Sequence, residues 1–149
     1  MKIPLSSNSV GHIGLIVRDI EESAKKYEKF FGIRVPGIGE TATADKTHIV
    51  YRGGPTQARA KLCHIPMGPI RIELIQPLGG PSVWKDFLDS KGEGVQHVAF
   101  DVKDADAEVA RLEAEGFKVV QRGDFEGGCY IYVDTTAELG VCLELLGKK

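Results

Sequence analysis

Apolar and polar positions alternate over residues 10–17, with Ile13, Leu15 and Val17 on one face and His12, Gly14 and Ile16 on the other, which predicts a β-strand. A helix follows. Asp19 is its cap and Glu22 the partner in a capping-box-like pair, while Ile20, Ala24, Tyr27 and Phe31 form an apolar stripe that ends at Gly32. Further strand-like runs occupy 47–52, 59–66 and 70–77. A short linking helix runs from Pro81 to Ser90, with Ser82 as cap and Val83, Phe87 and Leu88 facing inward. The order then repeats: strand 95–102, a helix capped by Asp104 with Ala105, Val109 and Leu112 as stripe and Gly116 as stop, then strands 117–122, 128–133 and 140–146. Each half reads as βαβββ. Residues 34–58, rich in Gly, Thr and Pro, are the least regular stretch.

The repetition extends to residue identities. Val10-Gly-His-Ile-Gly-Leu-Ile-Val-Arg-Asp19 aligns without a gap on Val95-Gln-His-Val-Ala-Phe-Asp-Val-Lys-Asp104, which pairs His12 with His97. Near the end of each half, Ile70-Arg-Ile-Glu-Leu-Ile75 matches Val141-Cys-Leu-Glu-Leu-Leu146 and pairs Glu73 with Glu144. An internal repeat constrains the architecture before any single motif does. Strand parity then sets direction: Ile72 and Leu74 flank Glu73, and Leu143 and Leu145 flank Glu144, so the apolar neighbours face the helices and both Glu face the other way. His12 and His97 obey the same parity. In a sheet curled around a groove, two imidazoles and two carboxylates would converge, a donor set suited to a divalent ion. The competing explanation is a wet second sheet face that tolerates His and Glu anywhere. Recurrence in both halves, together with the cost of a carboxylate unpaired among leucines, weighs against it.

Composition narrows the class without identifying the chemistry. The 149 residues, 42% hydrophobic and 27% charged, suit one globular domain spanning 1–149, with module one about 8–78, the linker helix about 81–91 and module two about 94–147. A net charge of −2 without a long run of one sign gives no reason to expect nucleic acid or a membrane surface as partner. Cys63, Cys129 and Cys142 form no C-x-x-C pair and lie in apolar runs, as reduced core cysteines of a cytoplasmic protein would. The start, from Met1 to Asn8, has no apolar signal-like core, and no run approaches the ~20 apolar residues of a membrane span.

Several segments resemble the vicinal oxygen chelate (glyoxalase/bleomycin resistance/dioxygenase) superfamily, and within it most closely the methylmalonyl-coenzyme A epimerases. They are Gly11 to Ile20, Ile72 to Leu78, Trp84 to Val102 with its Lys91-Gly-Glu-Gly-Val-Gln-His97 core, and Gly140 to Leu145. The resemblance implies an α+β fold, two βαβββ modules in tandem forming one open mixed β-barrel around a central metal groove. It also implies His12, Glu73, His97 and Glu144 as ligands of one divalent metal ion, among Zn, Co, Ni and Mn, in a homodimer acting on a small-molecule substrate such as an acyl-coenzyme A thioester.

Four protein ligands leave an octahedral ion two adjacent positions at which neighbouring substrate oxygens can chelate, which favours proton removal next to a carbonyl. Glu144 is expected as ligand and base together, and Glu73, its repeat partner, as the candidate for the second proton transfer. Two features depart from the epimerase pattern. The strand Ala60-Lys-Leu-Cys-His-Ile65 has no carboxylate, and Asp134-Thr-Thr-Ala-Glu-Leu-Gly140 stands where a His-Pro-Lys-like turn is expected. Lys61 and His64 are read as an exposed lysine and a satisfied strand histidine. Trp84, Phe100, Phe125, Tyr130 and Tyr132 are core candidates, the last two sharing a face that either lines the groove or packs, and Gly123 to Gly128 is a turn. The alternatives are a glyoxalase I-like lactoylglutathione lyase, an extradiol-type dioxygenase using His12, His97 and Glu144, and a non-catalytic binding protein of the same fold. A protein ligand at Glu73 speaks against the dioxygenase and the complete ligand set against the binding protein.

Overall fold

The computed structural model describes residues 5–149, so the reading of the extreme amino terminus rests on residues outside it. The elements run β1 (Val10–Ile16), α1 (Ile20–Phe31), β2 (Gly39–Glu40), α2 (Ala44–Thr47), β3 (Val50–Tyr51), β4 (Gly54–Pro55), β5 (Arg59–Met67), β6 (Ile70–Leu78), α3 (Val83–Lys91), β7 (Gly94–Asp101), α4 (Ala105–Ala114), β8 (Lys118–Phe125), β9 (Gly128–Asp134), α5 (Thr136–Leu139) and β10 (Cys142–Lys148). The strands form one mixed, curled sheet in the order β2-β5-β6-β1-β7-β10-β9-β8-β3-β4. The first module supplies β2-β5-β6-β1 and the second β7-β10-β9-β8. They meet where β1 pairs antiparallel with β7, and each of those strands pairs parallel with the last strand of its own module.

The helix caps follow the sequence. Asp19 accepts from the Glu22 amide, Asp104 from the Ala107 amide and Ser82 from the Lys85 amide, each satisfying a first-turn donor that the helix cannot pair itself. The convex face of the sheet carries two helix-covered cores, Ile20 against Leu74, Ile65 and Cys63 in one half, and Val109 and Leu112 against Ile131 and Leu145 in the other. The concave face holds a third, with Ile16, Ile75, Trp84 and Tyr132. Parity therefore acts as anticipated for Leu74 beside Glu73 and Leu145 beside Glu144, which go to the helix-covered cores. All three cysteines are buried and free. No helix among the described residues is long and apolar enough to cross a membrane.

Three readings need correction. The second strand of the first module is not 47–52 but the two-residue β2, which pairs with β5. Residues 44–47 form one helical turn, and β3 and β4 make a hairpin that pairs with β8 at the far edge of the sheet. The chain from 39 to 58 thus crosses from one edge to the other and returns, and a segment shared between two edges cannot show one strand's alternation. On α1, only Ile20 and Ala24 are buried; Phe31 is exposed beside Phe30, stacked on Tyr27. In α3, Val83 and Trp84 are the buried residues, while Phe87 and Leu88 are only partly covered.

Candidate metal centre

Two adjacent rows on one face of the sheet build the site. On the central strands, Gly14 lies in register with Glu73 on β6 and with His97 on β7, while Ala99 lies in register with His12 on β1 and with Glu144 on β10. Each small residue is thus flanked by one carboxylate and one imidazole. A Cβ on Gly14 would fall 1.9 Å from Cε1 of His97, so the His97 ring occupies the space a side chain at position 14 would fill. The His-x-small spacing recurs in both repeats and was visible in the sequence, although its purpose was not.

The four predicted residues come together. One donor atom from each lies within 4.8 Å of all the others, and exposures of 2% for His12, 7% for Glu73, 0% for His97 and 4% for Glu144 leave them little access to bulk water. His97 Nε2 is 2.7 Å from Glu144 Oε2 and 3.4 Å from Glu73 Oε1; His12 Nε2 is 3.0 Å and 3.4 Å from the same two atoms. The two Nε2 atoms are 3.1 Å apart. Ring nitrogens this close cannot both present bare lone pairs to each other; they need a proton or a cation between them. Burial opposes charge on both imidazoles, but bonds to and fields from Glu144 and Glu73 outweigh it, pushing His12 up to about 10 and His97 up to about 9. Burial likewise works to raise both carboxyls, and the imidazoles hold them below the usual carboxylate range. Two buried carboxylates and two imidazole nitrogens meeting at one point fit a divalent ion.

The surroundings break the twofold symmetry. His97 Nδ1 lies 2.6 Å from Gln96 Oε1, which can accept its N–H and leave Nε2 free to ligate. The twin position of Gln96 is Gly11, and His12 Nδ1 is buried without a partner among the described residues. Gln96 was not singled out from sequence; the signal was its departure from the repeat. His64 was undervalued. It faces Glu73 across the β5–β6 ladder, and its Nε2 lies 2.6 Å from Glu73 Oε2. Lys61, of opposite parity, pairs instead with Glu21 of α1 at 3.0 Å.

A cavity of about 480 Å³ adjoins the cluster, lined by His12, Glu73 and Glu144, by His64, and by apolar and aromatic residues including Ile49, Ile75, Trp84, Tyr130 and Tyr132. Tyr130 and Tyr132 therefore do line the groove. Phe125 lies at the rim, half exposed rather than in the core, before the turn at 126–127 that joins β8 to β9. Arg71 is the one Arg or Lys side chain on the cavity wall among the described residues, against Glu40, Asp124 and Glu126.

Comparison with known proteins agrees with this architecture. The chain is 25% identical over 145 residues to the uncharacterized protein YqjC of Bacillus subtilis, covering 95% of this chain and 94% of that one. It is 25% identical over 122 residues to an ethylmalonyl-CoA/methylmalonyl-CoA epimerase of Cereibacter sphaeroides, covering 81% of each. The crystal structure of methylmalonyl-CoA epimerase from Mycobacterium tuberculosis superposes with a TM-score of 0.66 at 25% identity, covering 100% of this chain and 93% of that one. A family model matches residues 11–133, a span that takes in His12, Glu73 and His97, and the chain belongs to the family it describes, the glyoxalase/bleomycin resistance protein/dioxygenase superfamily.

Proposed function

We propose that the protein is a divalent-metal-dependent epimerase or isomerase that moves a proton next to a chelated carbonyl, in one domain formed by both modules and with the whole site in one chain. The observation that carries this reading is the convergence of two buried imidazoles and two buried carboxylates on one point beside an open cavity. A divalent ion held by His12, Glu73, His97 and Glu144 would supply the Lewis acidity that makes the neighbouring C–H acidic. Glu144, on the cavity wall, takes the proton. Glu73 returns one; its Oε2 is bonded to His64, which offers a route for resupply in place of the carboxylate that β5 lacks. Arg71 is positioned to meet an anionic part of the substrate. The names of the relatives favour a 2-substituted acyl-coenzyme A thioester of the methylmalonyl type.

Incubation with methylmalonyl-coenzyme A in deuterated water, with and without a chelator, tests the reading. Metal-dependent exchange of the α-proton is expected, abolished in Glu144→Gln. Exchange that survives chelation, or a fully active Glu144→Gln, refutes it. A lactoylglutathione lyase is the second reading, favoured by the missing β5 carboxylate, and turnover of a hemithioacetal without thioester exchange would select it.

A further inference from the structure

The inner wall of the cavity carries two phenols whose hydrogen-bonding capacity is only half used. Trp84 Nε1 donates to the Tyr132 hydroxyl at 2.9 Å, and Gln121 Nε2 donates to the Tyr130 hydroxyl at 3.2 Å. Both assignments have one direction. An indole nitrogen can only donate, and the Gln121 amide is oriented by the Val83 N–H, which donates to its Oε1 at 2.9 Å and so turns the NH₂ towards Tyr130. Each hydroxyl oxygen is therefore an acceptor in these bonds, and its own O–H remains to be donated. Neither O–H has an acceptor among the described residues. Burial raises both phenols above the ordinary tyrosine value, which keeps them neutral donors at physiological pH.

The placement is specific. Both rings line the cavity, their centroids are 5.3 Å apart, and Tyr132 lies 5.0 Å from the His97 ring. Gly123, in register with Tyr130, makes room for it: a Cβ there would lie 2.8 Å from the phenol oxygen. Around the pair the wall is apolar, with Ile49, Ala58, Ile75 and the Trp84 indole. A buried donor facing an apolar wall is costly until an acceptor arrives, and an uncharged carbonyl oxygen meets that need at a smaller desolvation cost than a charged group.

We propose that Tyr130 and Tyr132 form a two-donor subsite for an uncharged, hydrogen-bond-accepting oxygen, such as a ketone, ester or amide carbonyl, carried on an apolar arm of the substrate. The subsite goes beyond the metal-dependent reading and does not require it, because the donors are set by Trp84 and Gln121 rather than by the ligands.

Trp84 is the single tryptophan of the chain, so its fluorescence reports occupancy of the cavity. The probes are cyclohexyl methyl ketone and its isostere isopropenylcyclohexane, which differ only in an oxygen replaced by a methylene. Each is titrated into metal-free and zinc-loaded protein. Partition from water alone favours the alkene; the subsite should reverse that order and make the ketone the tighter ligand in both forms. Tyr130→Phe should weaken the ketone by about three- to fivefold and leave the alkene unchanged, and the Tyr130→Phe, Tyr132→Phe double variant should restore preference for the alkene. Tyr130→Phe retains the Trp84–Tyr132 bond, and thermal melting checks both folds, so the single variant carries the test if the double one unfolds. The proposal is overturned if the alkene binds the native protein as tightly as the ketone, if neither probe binds, or if Tyr130→Phe leaves the preference intact. It is also overturned if the preference appears only with zinc, an outcome that puts the carbonyl on the ion and leaves the metal-dependent reading standing. A ketone preference in a protein that binds no zinc would have the opposite meaning, sparing the subsite and removing the metal centre.

Discussion

Gly14→Ala is the smallest change that should dismantle the site without touching a ligand. The added Cβ would lie 1.9 Å from Cε1, 2.2 Å from Nε2 and 2.5 Å from Nδ1 of His97, against ordinary contact at 3.4 Å and beyond. Taking 3.4 − 1.9 = 1.5 Å as the necessary retreat, the ring must move several times further than the ~0.2 Å tolerance of a metal–nitrogen bond. It has nowhere to go, since His97 is fully buried with Tyr132 on one side and Gln96 bonded to its Nδ1. The metal-free variant should lose ~1–3 kcal/mol from overpacking. Its affinity for zinc should fall by ~100-fold or more, at or above the upper end of what changes around a metal ligand cost.

Linkage makes this measurable by melting. Free zinc at 100 times the native Kd stabilises the native protein by ~2.7 kcal/mol, whereas the same concentration would add only ~0.4 kcal/mol to a variant bound 100-fold more weakly. At ~2–4 °C per kcal/mol for a chain of this size, the zinc-induced rise in Tm should be roughly 5–11 °C in the native protein and about 1–2 °C in the variant. Competition with a chromogenic chelator provides the affinity directly. Ala99→Gly is the control, because Ala99 occupies the twin position opposite His12 and enlarging that space moves no ligand. A Gly14→Ala protein that is destabilised yet binds zinc with native affinity would show that His97 is not a ligand, and the assignment would fall.

Two further outcomes follow from the same cluster. Because the metal-free site raises His12 to about 10 and His97 to about 9, protons on them contribute stability that is fully present below the ordinary value of 6.5 and lost as pH rises through 9 to 10; zinc binding at pH 7.5 should therefore release protons, read by calorimetry in buffers of different ionisation enthalpy, and a buffer-independent heat would contradict this. All four residues of the cluster belong to one chain, so mixing His12→Ala with His97→Ala protein should restore no zinc-dependent activity, and complementation would require a site shared between chains.

The repeat made the His/Glu cluster legible because each half places one imidazole and one carboxylate at matching positions. His12 and His97 occupy matching positions on the two central strands, Glu73 and Glu144 on the strands paired parallel to them, and parity alone directs all four away from the helices. What the sequence concealed lies where the halves differ. The second strand of the first module shrinks to Gly39–Glu40, and the chain that follows leaves for the opposite edge, so the apolar run at 47–52 carries contacts to β8 rather than a strand of its own module. Phe31 has the spacing of a core residue but sits exposed in the last turn of α1, where its ring stacks on Tyr27. His64 reads as a satisfied strand histidine, but the sequence does not show that Glu73 satisfies it, because that partner is nine residues away across a hairpin, a relation fixed by register and not by local pattern.

The same breaks in symmetry give the site its direction. A strictly duplicated pair of modules would present equivalent faces to a substrate, with two identical imidazoles and two identical carboxylates. Here Gln96 supports His97, while Nδ1 of His12, with Gly11 at the twin position, has no partner among the described residues, and His64 contacts Glu73. Those contacts give Glu73 three imidazole neighbours, His12, His64 and His97, and Glu144 two, His12 and His97, so the two carboxylates are not equivalent. The aromatic wall adds a third asymmetry, since Tyr130 and Tyr132 both come from the second module and only that module carries a glycine, Gly123, opposite a cavity phenol. Duplication thus supplies the binding point, and divergence between the halves supplies the orientation in which a substrate can use it.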